Sequence, residues 1–490
     1  MTTLLLVLPV AAPAAAALLA FISGRHRQAA MAACAAAVII AACGGLLAVS
    51  QASMPDHAFG GLLRADALTA TLLIIIGTVG IPATWAGIGY LAQEIAGGHS
   101  TPRRVRWYST LVPAFLGAMA LAVVSGNIGL TWAAVEATTV ITAFLVGHRR
   151  GRAALEAAWK YVVICSVGIA LALLGTVLLY FAAVHAGVPA EHALDIETLL
   201  HHAGSLDPAV TRTAAGLLLI GYGAKAGLIP FHSWLADAHS QAPAPVSALM
   251  SGVLLAVGAF ALLRVKPVID MAVGTGFLRG GLLVVGLATV ALAALMLVGQ
   301  TDYKRMLAYS SMENMGLVAI AAAVGSRLAM VALLLHVLAH GIAKTLLFLA
   351  AGQLQHAHGS TAIAAVRGVL ARSRLIGVAM AIGVAAVVAL PPFGLFGSVV
   401  SIARSLAEAR LIWVLAALAI LLVIAFAGMA ERTVTMLLGN PDPDAPAIAV
   451  PRSLATALAV GVIACVALGI TMGPLGGLFA GAADIVAVPG

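Results

Sequence analysis

The chain has 490 residues, 62% of them hydrophobic and only 9% charged, with a mean hydropathy of +1.09 and a net charge of +8. A water-soluble domain is excluded by that balance, and the basic excess sits in short loops between apolar runs, which excludes a nucleic-acid-binding surface. The short alternating segments of a membrane barrel are absent, which leaves an all-α polytopic membrane protein.

About fourteen transmembrane helices are predicted, each apolar run being close to the roughly 20 residues a bilayer demands. They lie at residues 3–23, 29–50, 66–93, 107–125, 127–147, 155–184, 211–229, 245–264, 281–299, 304–325, 327–354, 375–403, 410–430 and 453–475. The first run, "MTTLLLVLPVAAPAAAALLAFISGRHR", has its basic residues after the apolar segment instead of before it. It is expected to be an uncleaved first helix with the N-terminus outside. Loops after odd-numbered spans carry 16 Lys/Arg and loops after even-numbered spans carry 8. The odd loops, including Arg103, Arg104, Arg149 and Arg150, are therefore expected in the cytoplasm and both termini outside. The loop 185–210, with Glu191, Asp195, Glu197 and Asp207 and no Lys or Arg, agrees.

Glu136 lies in the fifth run, "GLTWAAVEATTVITAFLVG". A charge at the bilayer centre costs about 2.5–3.5 kcal/mol on insertion scales, so it is expected to face other helices or water and to find a partner. The first candidate is Lys225 of the seventh run, "GYGAKAGLIPFHSWLADAHS". A Glu–Lys pair can load and release a proton as its geometry changes. The same pair can equally be a static link that fixes helix register. Pro230 interrupts this run, and His232 can meet carbonyls freed at the break or simply make a structural hydrogen bond. Asp237 and His239 lie near the end of the broken segment. Glu313, in "AYSSMENMGL", sits early in the tenth run, as an interfacial cap or a member of a proton path.

His336, His340 and Lys344 in "LLLHVLAHGIAKTLLFLAAG" recur at i, i+4 and i+8. All three share one helix face over about 12 Å. A single membrane histidine is commonly a packing residue, but three titratable groups in line are expected to form a polar strip along a water path. The twelfth run breaks at "VVALPPFGLFGSVV". Both breaks carry Pro-Phe and lie five spans apart, which predicts two inverted five-helix repeats with broken helices 7 and 12. The expected division is 1–106 for helices 1–3, 107–266 for the first repeat, 267–430 for the second, and 431–490 for a loop and helix 14. Cys34, Cys43, Cys165 and Cys465 stand singly in apolar runs, so neither a disulfide framework nor an iron–sulfur site is expected. His201 and His202 lack further ligands at metal spacing. No catalytic constellation appears apart from the ion-path residues, so the chain is not expected to be an independent enzyme.

The stretches "GYGAKAGLIPFHSWLADAHSQAPAPVSALMSGVLLAVGAFALLR", "DYKRMLAYSSMENMGLVAI" and "HVLAHGIAKTLLFLAAGQL" resemble the antiporter-like proton-translocating subunits of respiratory complex I. That superfamily also includes multisubunit Na+/H+ antiporters and energy-converting hydrogenases. "SALMSGVLL" with "ENMG" is most similar to the hydrogenase-4 and formate hydrogenlyase type. The similarity runs from about residue 64 to about residue 405. It implies a hydrated axis at mid-membrane, with Glu136 and Lys225 as the paired acid and base and His336, His340 and Lys344 as the strip joining two half-channels. It also implies no cofactor in this chain and a location in a bacterial or archaeal cytoplasmic membrane. The implied partners are other membrane subunits and, through them, an iron–sulfur, nickel–iron or quinone-linked peripheral arm.

Two positions depart from the family pattern. Ala256 stands where relatives carry a lysine or histidine on helix 8. Val399 stands where they carry a lysine or glutamate after the helix-12 break, and valine cannot hold a proton. Glu408 or waters would then carry the exit. The alternatives are a cation/proton antiporter subunit of the multisubunit type and a non-pumping structural or coupling subunit.

Overall fold

The computed structural model describes residues 2–50, 56–98, 100–440, 448–473 and 475–487, so part of the expected C-terminal loop falls outside the described residues. Helices α1 (Thr2–Ser23) and α2 (His26–Ser50) lead into a two-stranded antiparallel hairpin, β1 (Asp56–Ala58) and β2 (Leu63–Ala65). Then come α3 (Ala67–Ala96), α4 (Pro102–Val124), α5 (Ile128–Val146), α6 (Arg152–His185) and a short surface helix, α7 (Ile196–His202). Next are α8 (Pro208–Lys225), α9 (Trp234–Gln241), α10 (Ala244–Leu249) and α11 (Leu255–Val273), the last two joined by a π-helical turn at Met250–Leu254. The second half holds α12 (Gly276–Val298), α13 (Tyr303–Val324), α14 (Arg327–His358), α15 (Val369–Arg372), α16 (Arg374–Val387), α17 (Gly394–Glu408), α18 (Ile412–Leu438), α19 (Arg452–Ile470) and α20 (Leu475–Val486).

Among the described residues, twelve helices are long and apolar enough to cross a membrane, where fourteen spans were expected. The expected span 211–229 differs because α8 stops at Lys225 and residues 226–233 separate it from α9, and 375–403 differs because it is two shorter pieces, α16 and α17, flanking residues 388–393. Both interruptions fall at the Pro-Phe segments, where the imino ring removes a backbone donor. The expected domain limits at 106, 266 and 430 fall inside α4, α11 and α18. The helices outrun their apolar stretches because their stop signals lie further out. Thr101 caps the start of α4, and Gly274, at φ +81°, ends α11.

Polar caps close several of the long helices' starts. Asn127, Asp207, Asp302 and Ser326 accept from first-turn amides of α5, α8, α13 and α14, satisfying donors that lipid cannot. The most apolar windows of Ala244–Val273 and of α14 are each 94% buried, against 22% for α19, so these two helices form the centre and α19 the rim. Close approaches use glycine. A Cβ on Gly221 would lie 2.6 Å from the Ala172 amide nitrogen and 2.7 Å from the Gly168 carbonyl oxygen, so α8 and α6 pack backbone to backbone. Gly221→Ala is expected to lower stability by about 1–3 kcal/mol through overpacking. An unchanged thermal unfolding midpoint of the purified chain would refute that close packing.

Candidate proton-transfer site

Lys225 is the last residue of α8 and is 0% exposed. The helix stops there because the chain turns through Gly227, at φ +77°, where a Cβ would lie 2.3 Å from Leu235 Cδ1. The Ala224 carbonyl freed by the break accepts from Trp234 Nε1 at 3.0 Å. Lys225 Nζ donates to Thr139 Oγ1 of α5 and to Tyr161 Oη of α6, both at 2.8 Å, and lies 5.1 Å from the Tyr161 ring centroid. Each hydroxyl can accept from an ammonium or donate to a neutral amine. The cradle therefore serves both protonation states of Lys225.

Glu136 sits one turn before Thr139 on α5, half-buried, with Oε2 buried and unpartnered. It lies within electrostatic reach of Lys225, yet the expected ion pair does not form among the described residues. The ammonium instead points at the hydroxyls, which solvate it without a second buried charge.

His336 and Lys344 on α14 are each 0% exposed and His340 is 3% exposed, so the predicted face is buried throughout. Lys344 Nζ donates to the Leu307 carbonyl at 2.7 Å and to Ser310 Oγ, both on α13. Ser398 Oγ of α17 donates to the Leu395 carbonyl at 2.8 Å and meets His336 Nδ1 at 2.9 Å. With the Ser398 proton committed, Nδ1 is the donor and His336 Nε2 is left a bare acceptor, buried and unpartnered. His340 Nε2 is likewise buried and unpartnered.

Glu313 lies ten residues into α13, 8% exposed and within electrostatic reach of Lys344, so it is not an interfacial cap. Asp237 pairs with Lys160 at 3.0 Å and Arg305 at 2.6 Å, tying α9 to α6 and α13 at a partly open edge. Glu408 ends α17 in an exposed pair with Arg404, away from the interior. His232 is half-buried within the break with Nδ1 unpartnered. Ala256 is 5% exposed on α11 and Val399 half-buried on α17, beside the serine that holds His336.

Two buried groups, Lys304 and Arg264, escaped the sequence reading, and a third, His239, was noted there without its place in the site. His239 of α9 is 0% exposed, 6.0 Å from the Trp234 ring, which is 4.9 Å from Tyr161. Its ring also lies 5.6 Å from that of Phe348, one turn from Lys344 on α14, so it stands between the two clusters. Lys304 of α13 is 0% exposed and donates to the Ala242 carbonyl at 3.0 Å; its place at a predicted span edge disguised it. Arg264 of α11 is 3% exposed, pairs with Asp66 and donates to Thr69 Oγ1 at 2.8 Å, while Arg64 Nε reaches the same carboxylate at 2.9 Å. The signal available for Arg264 was a charge at the end of a predicted span, flanked by Leu263 and Val265.

Interrupted helices, central buried cations and unpartnered imidazoles define a multi-pass membrane protein of the antiporter-like kind. The profile of the family described as "NADH:quinone oxidoreductase/Mrp antiporter, TM" matches residues 125–425, more than half of the chain. The chain belongs to that family. It is 37% identical over 391 residues to the Hydrogenase-4 component F homolog of Methylacidiphilum infernorum (isolate V4), covering 79% of this chain and 82% of that protein. In fold it is similar to a chain of the membrane-bound sulfane sulfur reductase, an archaeal respiratory membrane complex, with a TM-score of 0.87 and 23% identity over 99% of this chain and 97% of that one. A chain of the Mrp complex from Dietzia sp. DQ12-45-1b gives 0.85 and 19% over the same shares, 99% and 97%. The protein is thus an antiporter-like membrane subunit of the complex I, Mrp and hydrogenase type.

Proposed function

We propose that this chain carries protons as a membrane subunit of a hydrogenase-4-like, formate hydrogenlyase-like or complex I-like assembly in a prokaryotic cytoplasmic membrane, with both termini outside. Glu136 and Lys225 form the input, His232 and His239 flank the break, and Lys344, His340 and His336 form the strip toward α17. The two inverted five-helix repeats, each holding one broken helix, frame that path. The observation that carries this reading is Lys225, a fully buried ammonium solvated by two neutral hydroxyls instead of a carboxylate. A structural ion pair would be closed by a counter-charge, whereas this cradle accepts gain and loss of a proton alike. The test is proton uptake by the assembled complex carrying Lys225→Ala, with intact wild-type pumping as the result that removes the reading.

Val399 favours a second reading, a coupling subunit that moves no protons itself. The group facing His336 from α17 is the neutral Ser398, and no titratable side chain follows at 399. We expect Val399→Glu to assemble, because the site is half-buried, and to raise proton flux through the second half. Unchanged flux in Val399→Glu, together with a silent Lys225→Ala, assigns the coupling role.

A further inference from the structure

A crevice of about 910 Å³ opens on the face formed by α4, α5 and α6. It lies at the upper end of the roughly 300–1,000 Å³ typical of small-ligand sites. Its rim carries Arg104, His148 and Arg150, and its shaft is apolar, with Leu111, Val140 and Phe144 among its walls. Trp107 and Trp159 stand at the sides, where amphipathic rings favour the membrane interface. On α5 the lining runs from Gly147 to Thr139, about 12 Å of helix, and on α6 from Leu155 to Ser166, about 16 Å. That depth is about one leaflet of a hydrocarbon core some 30 Å thick.

The charge at the rim is unbalanced. Arg149, between the two rim residues His148 and Arg150, is already paired with buried Glu94 at 2.9 Å. Among the described residues Arg104 and Arg150 have no carboxylate partner. Arg104, in the first turn of α4, and Arg150, between α5 and α6, lie at the side that the positive-inside rule assigns to the cytoplasm, whose leaflet carries anionic lipid.

We propose that this crevice is a binding site for one anionic phospholipid, its phosphate on Arg104 and Arg150 and an acyl chain along Val140 and Phe144. Polar rim, aromatic collar and apolar shaft follow one another in the order that a lipid presents them. A protein helix would leave the two guanidiniums uncompensated unless it brought its own acids. The crevice ends at Thr139, the buried hydroxyl that accepts from Lys225, so the tip of the bound chain rests against the outer wall of that cradle.

The test is native mass spectrometry of the full chain released from nanodiscs containing equal phosphatidylglycerol and phosphatidylcholine. About one phosphatidylglycerol per chain should be retained, with at least tenfold preference over phosphatidylcholine. The double variant R104Q/R150Q should lose that preference. Ala158→Trp, which fills the shaft, should lose retained lipid of either headgroup. Retention without headgroup preference, preference unchanged in R104Q/R150Q, or a co-purifying protein segment in place of lipid would each overturn the proposal.

Discussion

In the assembled complex, Lys225→Ala is expected to abolish the proposed proton uptake while the subunits remain together. A group that passes protons in a rate-determining step contributes typically about 10²–10⁴-fold, so the loss should reach at least ~100-fold. The fold tolerates the change because desolvating an ammonium opposes folding, and the two hydroxyls lose a donor but no acceptor. Thr139→Val should be milder, since Tyr161 still holds the amine. Proton uptake by inside-out vesicles, normalised to complex content, decides the matter. Pumping within twofold of wild type in Lys225→Ala would end the proton-transfer assignment for this residue.

Arg264→Ala is expected to give the largest loss of stability. Arg264 and Arg64 share the carboxylate of Asp66, which also accepts from the Thr69 amide at 2.8 Å as the cap of α3. Removing one partner of a buried pair costs about 3–5 kcal/mol, and because Asp66 keeps Arg64 the loss should lie near the lower end of that range. Denaturant titration of the purified chain in micelles measures this directly. Pairing Arg264→Ala with Asp66→Asn should recover part of the loss, and a double-mutant cycle isolates the coupling. A single-variant loss below about 1 kcal/mol would show that the cluster contributes little to the fold.

The architecture was legible because bilayer length and proline leave strong marks in one dimension. Lys225, His336, His340 and Lys344 were legible for the same reason, as charges or imidazoles inside apolar runs. What the sequence hid lies at the ends of helices. Lys304 and Arg264 were assigned to span edges, yet both are buried, since neighbouring helices and the β hairpin extend past the apolar stretches and cover them. The partner of Lys225 was hidden for another reason. Charge complementarity pointed to Glu136, while a neutral hydroxyl one turn along the same helix, Thr139, carries no mark in a hydropathy profile. His239 was visible as a residue, but its place between two clusters depends on the fold of the break.

The widened turn at Met250–Leu254 ties these observations together. Its Leu255 amide reaches back five residues to the Met250 carbonyl, so this helix contains one residue more than a regular α-helical path needs. Taking up that surplus in a widened turn keeps everything beyond it on the face a regular helix would give, whereas forcing the extra residue into α-helical spacing would swing it by about 100°, the angular step per residue. Arg264 would then leave Asp66, and Gly258, now flush against Lys225, would be replaced by a neighbour with a side chain. The widened turn thus aligns the far end of the protein with its middle, and a helix of the same length without it would lose both anchorages at once.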